Sequence, residues 1–567
     1  MGGRSPKLFV ASMIAVALVA AACAKKTATP AASGGTDPNG GIVYSLDQEG
    51  TNFNPLTSDG NSFDVVQVMD RIWPTVFHNS ADAKPYLDTE LMQDVTLTAT
   101  TPQTVVYKIN PKAKWQDGVA FNADDFIYNY QAQSGLPQYT DVGGIPFDAA
   151  SNTGYSQIAS ITASPDKFTV TTTYSTPFAD WKSLFSTMAP QHIMSKIGWN
   201  KGILAANVNP QTVISAGPFE LKSYTAGKDW IVQRNPNYWG TAAGLATVDF
   251  RFIPDSSQVE PALANNEINA SYPQPQLDLV NQLKQVQNVK LDERPALFYE
   301  HLDFNEANPF LADVNLRKAI AMSIDRTDLI AKTVGQFATG IVPDNNRIYV
   351  PNQPQYRDNS SGSTTATVSP GPYDKANPDG AKKLLTDNGY TITGTPPVLK
   401  TKAGKAVTLK ITSTQGNKLR NSEEAYVINA LAPLGIAVTE KDTTGLGKTL
   451  SSHDFDMIIF GWVDTPYASG NDSIFQTVTK STGGQNYDSY SNKAVDALIA
   501  KADVDLDPAK QTDYYNQVDA ILWNDMVTLP LFQKPTLLVY QNKYKNMVNN
   551  ITSEGPVYNM EQWALSK

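Results

Sequence analysis

A tryptophan and an aspartate that follow a short apolar run are the residues of this sequence best suited to hold a small ligand. Residues 457–460 (Met-Ile-Ile-Phe) are continuously apolar, which is typical of a strand covered on both faces. We expect a turn at Gly461, which places Trp462 and Asp464 beyond the carboxyl end of the strand, where open α/β sheets bind ligands. An aromatic ring beside a carboxylate suits a ligand with an apolar and a cationic part. The alternative is a core tryptophan beside a turn aspartate.

Residue types that carry out covalent catalysis are present, but not in a productive pattern. Ser164 and Lys167 match Ser-x-x-Lys, and residues 480–483 loosely match Lys-Thr-Gly, a pair found in penicillin-recognising serine enzymes. That serine begins a helix, whereas Ser164 falls in a predicted hairpin turn. The sequence contains no Gly-x-Ser-x-Gly and no His-Glu-x-x-His. We therefore expect no catalytic residues and no enzyme, which makes a secreted hydrolase the least favoured hypothesis.

Metal-binding residue types show no local spacing of a known site. Residues 503–507 imitate the start of a calcium loop, but Pro508 replaces the turn glycine and Tyr514 replaces the bidentate glutamate. We predict no metal and no cofactor, and the pattern leaves open a site assembled from distant parts of the chain. The histidines are far apart: His78, His192, His301 and His453.

The elements that position these residues are predicted to alternate between helix and strand. Periodicity and turn residues divide the chain into short elements, which indicates a mixed α/β fold with helices on the faces of a sheet. Residues 349–372 are polar and predict an exposed excursion. The predicted strands are 42–45, 105–109, a hairpin over 161–174, 407–411, 436–438, 457–460 and 528–532. The predicted helices are 65–77 (interrupted near Pro74), 122–130, 313–324, 377–389, 423–431, 493–502 and 508–525.

Composition restricts the class of protein. A chain of 567 residues is too long for one hydrophobic core and predicts two to four domains. The formal net charge is −10 without a basic run in the body of the chain, which disfavours nucleic-acid binding.

The N-terminus has the pattern of an export signal. A basic start precedes the apolar run 8–22, which is too short for an ordinary membrane span and ends at Cys23. Ala20 and the two alanines after it, with Cys23, resemble a bacterial lipobox, although leucine is more usual at the first position. We expect residues 1–22 to be a signal peptide, Cys23 to be lipidated and residues 23–41 to form a flexible tether. An ordinary secretory signal is the alternative, and the single cysteine excludes an internal disulfide.

Several segments together resemble the oligopeptide/dipeptide-binding family of bacterial ABC-importer solute-binding proteins, extracellular family 5. The similarity spans about residues 42–540 and includes Trp115-x-Asp-Gly118 and an Arg-Asn-Pro-x-Tyr-Trp segment at 234–239. Trp115, Trp239 and Arg317 belong to these motifs, and we expect structural roles for them. The other matching segments are 123–126, 216–219, 314–326, 381–390, 434–436 and 461–462.

The resemblance implies a periplasmic-binding-protein-like fold with two lobes that close over a ligand. It places lobe I at 42–303, with a β-rich subdomain at about 80–215, and lobe II at 304–527. The chain then returns to lobe I over 528–567, and the hinge crossings fall near 299–305 and 524–529. The ligand-facing residues carried over from relatives are Thr51, Asn52, Phe53, Asn54, Trp73, Gly461, Trp462, Val463 and Asp464.

This chain departs from the family pattern near the expected site. Peptide binders place an amine-pairing aspartate three residues after the tryptophan, whereas Asp464 lies two after Trp462. Asn54 stands where aspartate is frequent, and Pro74 stands where glutamate is frequent. Fewer carboxylates indicate a ligand that depends less on a free amino terminus.

These observations favour a monomeric, lipid-anchored receptor outside the cytoplasmic membrane that passes peptides to ABC permease subunits. The alternatives are the same fold with an oligosaccharide, a metal chelate or another small molecule as ligand, and a relative that serves signalling or envelope assembly instead of transport.

Overall fold

The computed structural model describes residues 36–363, 372–463, 466–478 and 484–567. The predicted signal peptide, Cys23, most of the tether and Asp464 lie outside the described residues. Residues Thr36 and Asp37, at the end of the predicted tether, pair with the C-terminal segment, where the Asp37 N–H donates to the Leu565 carbonyl at 2.8 Å. Among the described helices, none combines the length and the apolar character needed to cross a lipid bilayer.

Helices begin where the sequence supplies a capping side chain. Asn122 and Asp125 form a capping box at the start of the second helix, and Asp313 accepts from the Asn315 N–H at the start of the sixth. Asn377 and Asp507 each precede a proline at the first helical position. The α-helices are α1 Phe63–Met69, α2 Ala123–Gln133, α3 Gln191–Ile197, α4 Val259–Ala264, α5 Leu277–Leu283, α6 Val314–Ser323, α7 Arg326–Lys332, α8 Pro378–Asp387, α9 Lys418–Leu431, α10 Leu446–Ser451, α11 Asp472–Phe475, α12 Lys493–Val504 and α13 Pro508–Asp525.

The strands are distributed over one large sheet and several small ones. They are β1 Gly41–Leu46, β2 Phe77–Asn79, β3 Pro85–Leu87, β4 Met92–Thr100, β5 Gln103–Ile109, β6 Thr140–Asp141, β7 Ile145–Pro146, β8 Ile158–Ala163, β9 Thr169–Tyr174, β10 Phe219–Thr225, β11 Asp229–Arg234, β12 Thr247–Phe252, β13 Ala270–Ser271, β14 Val289–Phe304, β15 Thr391–Thr393, β16 Val398–Lys400, β17 Thr408–Thr412, β18 Ala437–Glu440, β19 Met457–Val463, β20 Thr528–Gln541, β21 Tyr544–Lys545 and β22 Ala564–Leu565.

The large sheet is mixed and passes through both lobes. In the described part of the chain its ten strands follow the order β10-β11-β12-β1-β13-β20-β14-β19-β17-β18. Strand β1 is parallel to β12 and β13, and β17 is parallel to β18 and β19. Between these two parallel groups lie the long antiparallel strands β14 and β20. The expected mixed α/β fold with two lobes is therefore confirmed.

Two large hydrophobic cores lie on either side of the long strands. One combines residues from the first half of the chain with C-terminal residues such as Leu538 and Trp563. The other combines residues between Leu302 and Phe532 with helices α6, α8 and α9. A four-stranded antiparallel sheet, β4-β5-β9-β8, adds to the first core and contains the predicted hairpin.

The ladder between β14 and β20 is interrupted near its middle. Pro295 lies opposite Pro535, and the register shifts before pairing resumes at Tyr299 and Gln533. Proline has no N–H to donate, so the ladder lacks two donors at this point. The two strands are therefore least tightly joined between the two cores.

Three expectations about elements were wrong in their bounds. The strand predicted at 457–460 does not end at Gly461, because residues up to Val463 pair with β14. Helix α1 ends at Met69 rather than continuing to 77, since Arg71 adopts a left-handed backbone conformation that breaks the helix. The strand predicted at 528–532 extends to Gln541, and its partner β14 was not predicted.

The segment predicted as an exposed excursion is largely held against the protein in its described part. Tyr349, Val350 and Asn359 are buried, and the Asn359 amide donates to Asp519 of α13 at 2.9 Å. Polar composition was misleading here because the polar groups bond within the fold instead of facing water. Residues 364–371 lie outside the described part.

Candidate functional site

The carboxyl ends of parallel strands from both lobes meet in one region. Strands β1 and β13 are parallel neighbours, as are β17 and β19. Within each pair, the loops that follow the two strands therefore leave the sheet at the same end. The loop after β13 contains Gln274, whose side-chain oxygen accepts from the Asn417 amide at 2.9 Å. Asn417 caps α9 and follows β17. This hydrogen bond joins the loops of the two lobes at the edge where α/β sheets bind ligands.

A buried ion cluster lies next to this contact. Glu300 of β14 accepts from Arg420 at 2.6 Å and from Lys534 at 2.5 Å, one cation on each carboxylate oxygen. Burial alone raises the pKa of Glu300, but the two cations outweigh it and hold the pKa at about 2. Lys534 also donates to Gln274 at 3.0 Å. The cluster thus connects both long strands with α9 and the loop after β13.

Two carboxylates from lobe I lie beside the cluster. Asp47 follows β1 and accepts from the Gln274 N–H at 3.4 Å, while Asp64 lies in the first turn of α1. Both side chains are half-buried. Within the described residues neither forms an ion pair, because Lys534 and Arg420 are engaged by Glu300.

The pKa values of both Asp47 and Asp64 are raised above their ordinary values. Burial raises the pKa of Asp47 to about 6, although the Gln274 N–H and the Lys534 charge oppose this shift. Burial and the Asp47 charge raise the pKa of Asp64 well above its ordinary value. A cation bound beside the two carboxylates would relieve the repulsion that Asp64 experiences from the Asp47 charge. The region can therefore hold a positively charged group.

Trp462 lies at the end of β19 among other aromatic rings. It pairs with Tyr299 in the sheet register, stacks parallel to His301 at 6.0 Å and to Tyr487 at 5.9 Å, and is half-buried. Gly461 pairs with Glu300, and a Cβ added there would lie 3.4 Å from the Glu300 carboxylate. The predicted glycine–tryptophan pair is thus adjacent to the ion cluster.

Val463 connects this tryptophan to lobe I through rings. It pairs with Phe298, whose ring lies edge-on to Phe63 at 5.7 Å, and Phe63 stacks on Tyr272 at 5.8 Å. Phe63 immediately precedes Asp64, so the aromatic contact and the carboxylate pair share one helix start. These rings provide an apolar wall beside the charged groups.

The lobes also meet at a second place, at the rim of the β-rich subdomain. The Asp180 carboxylate accepts from the Ser469 N–H at 3.0 Å and from the Gln511 amide at 3.1 Å. The Ala179 N–H donates to the Asp503 carbonyl at 2.6 Å. With the Gln274–Asn417 bond, these contacts hold the predicted lobes together at two separate points.

The side chains of the predicted early loop are engaged with other residues of the first core. Thr51 is exposed, whereas Asn52 donates to Thr57, Asp59 and the Asn200 carbonyl. Phe53 stacks on Trp230 at 4.4 Å and is fully buried. The buried Asn54 amide donates to the Trp199 carbonyl at 2.9 Å. These side chains bond within lobe I, and their role in ligand binding stays a prediction.

Trp73 is also buried in lobe I. It borders a cavity of about 320 Å³ whose other walls include Arg71, His78, Tyr238 and Trp239. The residues that line this cavity do not include Trp462, so the cavity does not bring the two tryptophans together. Asp464 lies outside the described residues, and its pairing with a ligand also stays a prediction.

The signature residues make contacts within the fold. The Trp115 indole donates to Asp125 at 3.3 Å, and the Trp239 indole donates to the Glu90 carbonyl at 2.9 Å. Arg317 forms an ion pair with Glu306 at 3.2 Å and also donates to backbone carbonyls. Each contact ties the side chain to another segment of the fold, which agrees with the structural roles expected for these side chains.

Sequence reasoning missed the charged and amide side chains of the region. They occur singly in separate segments, and a lone glutamate or lysine in a strand pattern gives no local signal. The one available signal was charge inside an otherwise apolar stretch, as at Lys534 in β20. The missed residues are Asp47, Asp64, Gln274, Glu300, Asn417, Arg420 and Lys534.

Comparison with known proteins identifies the family. The chain matches the model of bacterial extracellular solute-binding proteins, family 5 Middle, over residues 93–486. The oligopeptide-binding protein OppA of Mycobacterium tuberculosis is 28% identical over 516 residues, covering 89% of this chain and 82% of OppA. An uncharacterized lipoprotein of the same organism is 23% identical over 566 residues, covering 93% of each chain.

Solved structures agree in fold. The periplasmic EDTA-binding protein EppA superposes with a TM-score of 0.83 at 26% identity, covering 93% of this chain and 97% of EppA. The oligopeptide-binding protein AppA of Bacillus subtilis, solved with a nonapeptide, gives a TM-score of 0.77 at 21% identity, covering 94% and 100%. Because the family model spans more than half of the chain, this protein belongs to the bacterial extracellular solute-binding proteins, family 5, and is a binding protein of an ABC importer rather than an enzyme.

Proposed function

We propose that this protein captures peptides between its lobes and delivers them to the permease subunits of its importer. The carboxylate pair Asp47–Asp64 carries the proposal, because neither side chain forms an ion pair within the described residues and both lie beside the junction of the two lobes. An ammonium group of a peptide satisfies both carboxylates by charge-assisted hydrogen bonds. The aromatic wall of Phe63, Phe298 and Trp462 suits the apolar parts of such a ligand.

Some of the ligand-binding residues predicted from the sequence have a role in this proposal. Gly461, Trp462 and Val463 adjoin the charged region, whereas Asp464 is the alternative partner for the ligand amine. The similarity to a relative named as an oligopeptide-binding protein supports a peptide ligand. The similarity to an EDTA-binding protein favours a chelate as the second candidate, but a polyanion is repelled by Asp47 and Asp64.

Closure of the lobes is proposed to pivot where the long strands are weakly joined. Pro295 and Pro535 face each other, and the ladder is interrupted up to Tyr299 and Gln533. Rotation at this point breaks few backbone hydrogen bonds, so it separates the cores without disrupting them. This pivot lies before the crossing expected at 299–305 and after the crossing expected at 524–529.

The protein is proposed to act outside the cytoplasmic membrane, anchored through a lipid on Cys23. The family is extracellular, and relatives that match over most of the chain are named lipoproteins. A peptide receptor held at the membrane surface stays within reach of the permease that it serves. Mass spectrometry of the N-terminal peptide of the mature protein tests the lipid, and an unmodified Cys23 would refute it.

Calorimetry with a free-amine tetrapeptide and its N-acetylated form tests the proposed ligand. We expect the free amine to bind more tightly, and Asp47→Asn to weaken that binding by about 1–3 kcal/mol while leaving the acetylated form unchanged. Asp387→Asn, a change in an exposed ion pair of α8, is the matched control and should change neither affinity.

The same measurement separates the competing assignments. If Asp464→Asn removes the preference and Asp47→Asn does not, the amine partner is Asp464. If neither peptide binds, and native mass spectrometry shows a retained sugar or chelate instead, the peptide proposal is wrong.

A further inference from the structure

Three carboxylates outside the ligand region converge at the far edge of the large sheet. Glu424 lies on α9, Glu440 ends strand β18, and Asp442 follows that strand. One carboxylate oxygen from each of the three lies within 4.8 Å of the others. Oxygen atoms at this separation can share a single metal ion.

Glu424 is the member of the group that cannot be explained as a surface acid. Its side chain is 0% exposed, and neither of its carboxylate oxygens accepts a hydrogen bond of normal geometry. The nearby Ser413 hydroxyl donates to Asp442 at 3.3 Å. A buried carboxylate without a partner carries a large desolvation cost, and it normally has a cation beside it.

Protein cations do not neutralise the group. The two lysines at this edge, Lys441 and Lys410, form ion pairs with Asp454 at 3.1 and 3.7 Å. Among the described residues, no lysine, arginine or histidine forms an ion pair with the three clustered carboxylates. Burial, together with the charges of Asp442 and Glu440, raises the pKa of Glu424 to about 8, against a lowering by Ser413.

We propose that Glu424, Glu440 and Asp442 form a divalent-cation site that takes Ca²⁺. Carboxylate oxygens are hard ligands and suit calcium, magnesium or manganese rather than zinc or copper. Calcium accepts six to eight oxygens in flexible geometry, and the exposed Glu440 with the half-buried Asp442 leaves room for waters to complete its shell. With only three protein ligands, we expect a dissociation constant of about 10⁻⁴–10⁻³ M, in the range of extracellular calcium modules.

The site is placed to stiffen one wall of the ligand region. The cation joins α9 to the end of β18, and the loop after β18 bonds to the loop after β17 through Thr443 N–H to the Ser413 carbonyl at 2.9 Å. The same helix begins with Asn417 and contains Arg420, both of which lie at the junction of the lobes. Cation binding therefore stabilises the element that carries these two contacts, and this effect does not depend on which ligand the protein binds.

Equilibrium dialysis of the full-length protein with CaCl₂ tests the site. We expect one calcium ion per chain, with at least ten-fold weaker binding for Glu424→Gln and for Asp442→Asn. Asp454→Asn is the matched control. It removes an exposed carboxylate at the same edge that pairs with lysines and does not belong to the group, and it should leave calcium binding unchanged. Glutamine keeps the shape of Glu424 and removes its charge, so this variant should fold, which circular dichroism verifies.

Thermal unfolding provides a second readout. CaCl₂ should raise the Tm of the parent more than MgCl₂ at the same concentration, because the group lacks an octahedral cage, and it should not raise the Tm of folded Glu424→Gln. Absence of calcium binding by the parent would overturn the proposal. So would binding that persists unchanged in folded Glu424→Gln, or a loss in Asp454→Asn equal to that in Glu424→Gln.

Discussion

At the scale of single residues, Glu300 combines deep burial with full neutralisation. Arg420 and Lys534 each bond one of its oxygens, so the carboxylate is satisfied although it lies in the middle of the sheet. The two cations come from different elements, and removing the carboxylate leaves both without a counterion. Burial lowers the pKa of Lys534, which shows how much this lysine depends on the negative charge.

The Glu300 cluster predicts a loss of stability in acid. Its folded pKa of about 2 lies below the ordinary value of 4.5, so its contribution is complete above about pH 4.5 and is lost as the pH falls towards 2. The shift corresponds to about 3 kcal/mol. Urea unfolding of Glu300→Gln at pH 7 should show a loss of that order, with a weaker acid dependence than the parent. An unchanged midpoint would show that the cluster does not stabilise the fold.

At the scale of elements, Arg317 fixes helix α6 against the end of α13. It donates to the carbonyls of Leu311 at 2.6 Å, Asp525 at 2.6 Å and Met526 at 2.9 Å. The Asp525 and Met526 carbonyls lie at the end of α13, just before strand β20 begins, so one planar side chain holds the start of this long strand. Only a guanidinium offers donors in several directions for such contacts.

Replacing Arg317 by lysine should therefore be costly. A single ammonium cannot reach all three carbonyls, and the unsatisfied groups lower the free energy of unfolding by about 1–3 kcal/mol. Guanidinium denaturation measures the change. Arg357→Lys, in a partly exposed pair with Asp513, is the control and should change stability by less than about 0.5 kcal/mol. Equal effects of the two substitutions would contradict the role given to Arg317.

At the scale of the whole molecule, the two lobes touch at the ligand region and at Asp180. The Asp180 carboxylate bonds Ser469 and Gln511 across the lobes, but it is not part of either large core. In the proposed closure, contacts of this kind favour the closed arrangement without contributing to the stability of each lobe. Their loss should shift the population towards open molecules.

Asp180→Ala should weaken ligand binding while leaving unfolding nearly unchanged. We expect an affinity lower by about three- to ten-fold, since coupling energies of this kind are typically about 1 kcal/mol. Calorimetry measures the affinity, and small-angle scattering should show a larger radius of gyration without ligand. Asp94→Ala, which removes an exposed pair with Lys108, is the control. An unchanged radius and affinity would mean that the Asp180 contact does not hold the lobes closed.

Much of the fold could be predicted from local patterns. Residues 457–460 were expected as a buried strand, and their side chains are at most 2% exposed. The starts of α2, α6 and α8 followed from capping residues and, at α8, from a proline, because these signals act within one turn of the chain. The family was also recognisable, since its motifs are short segments in a fixed order.

The sequence by itself determined the element types, the family and the glycine–tryptophan pair beside the junction of the lobes. Only the tertiary structure decided which charges meet there, because Asp47, Glu300 and Lys534 come from distant segments that β1, β14 and β20 bring together. Periodicity records which side of an element faces the core, but it carries no information about which distant side chain lies opposite. The role of a single acidic residue in a strand can therefore be assigned only when the order of the strands shows which cation lies beside it.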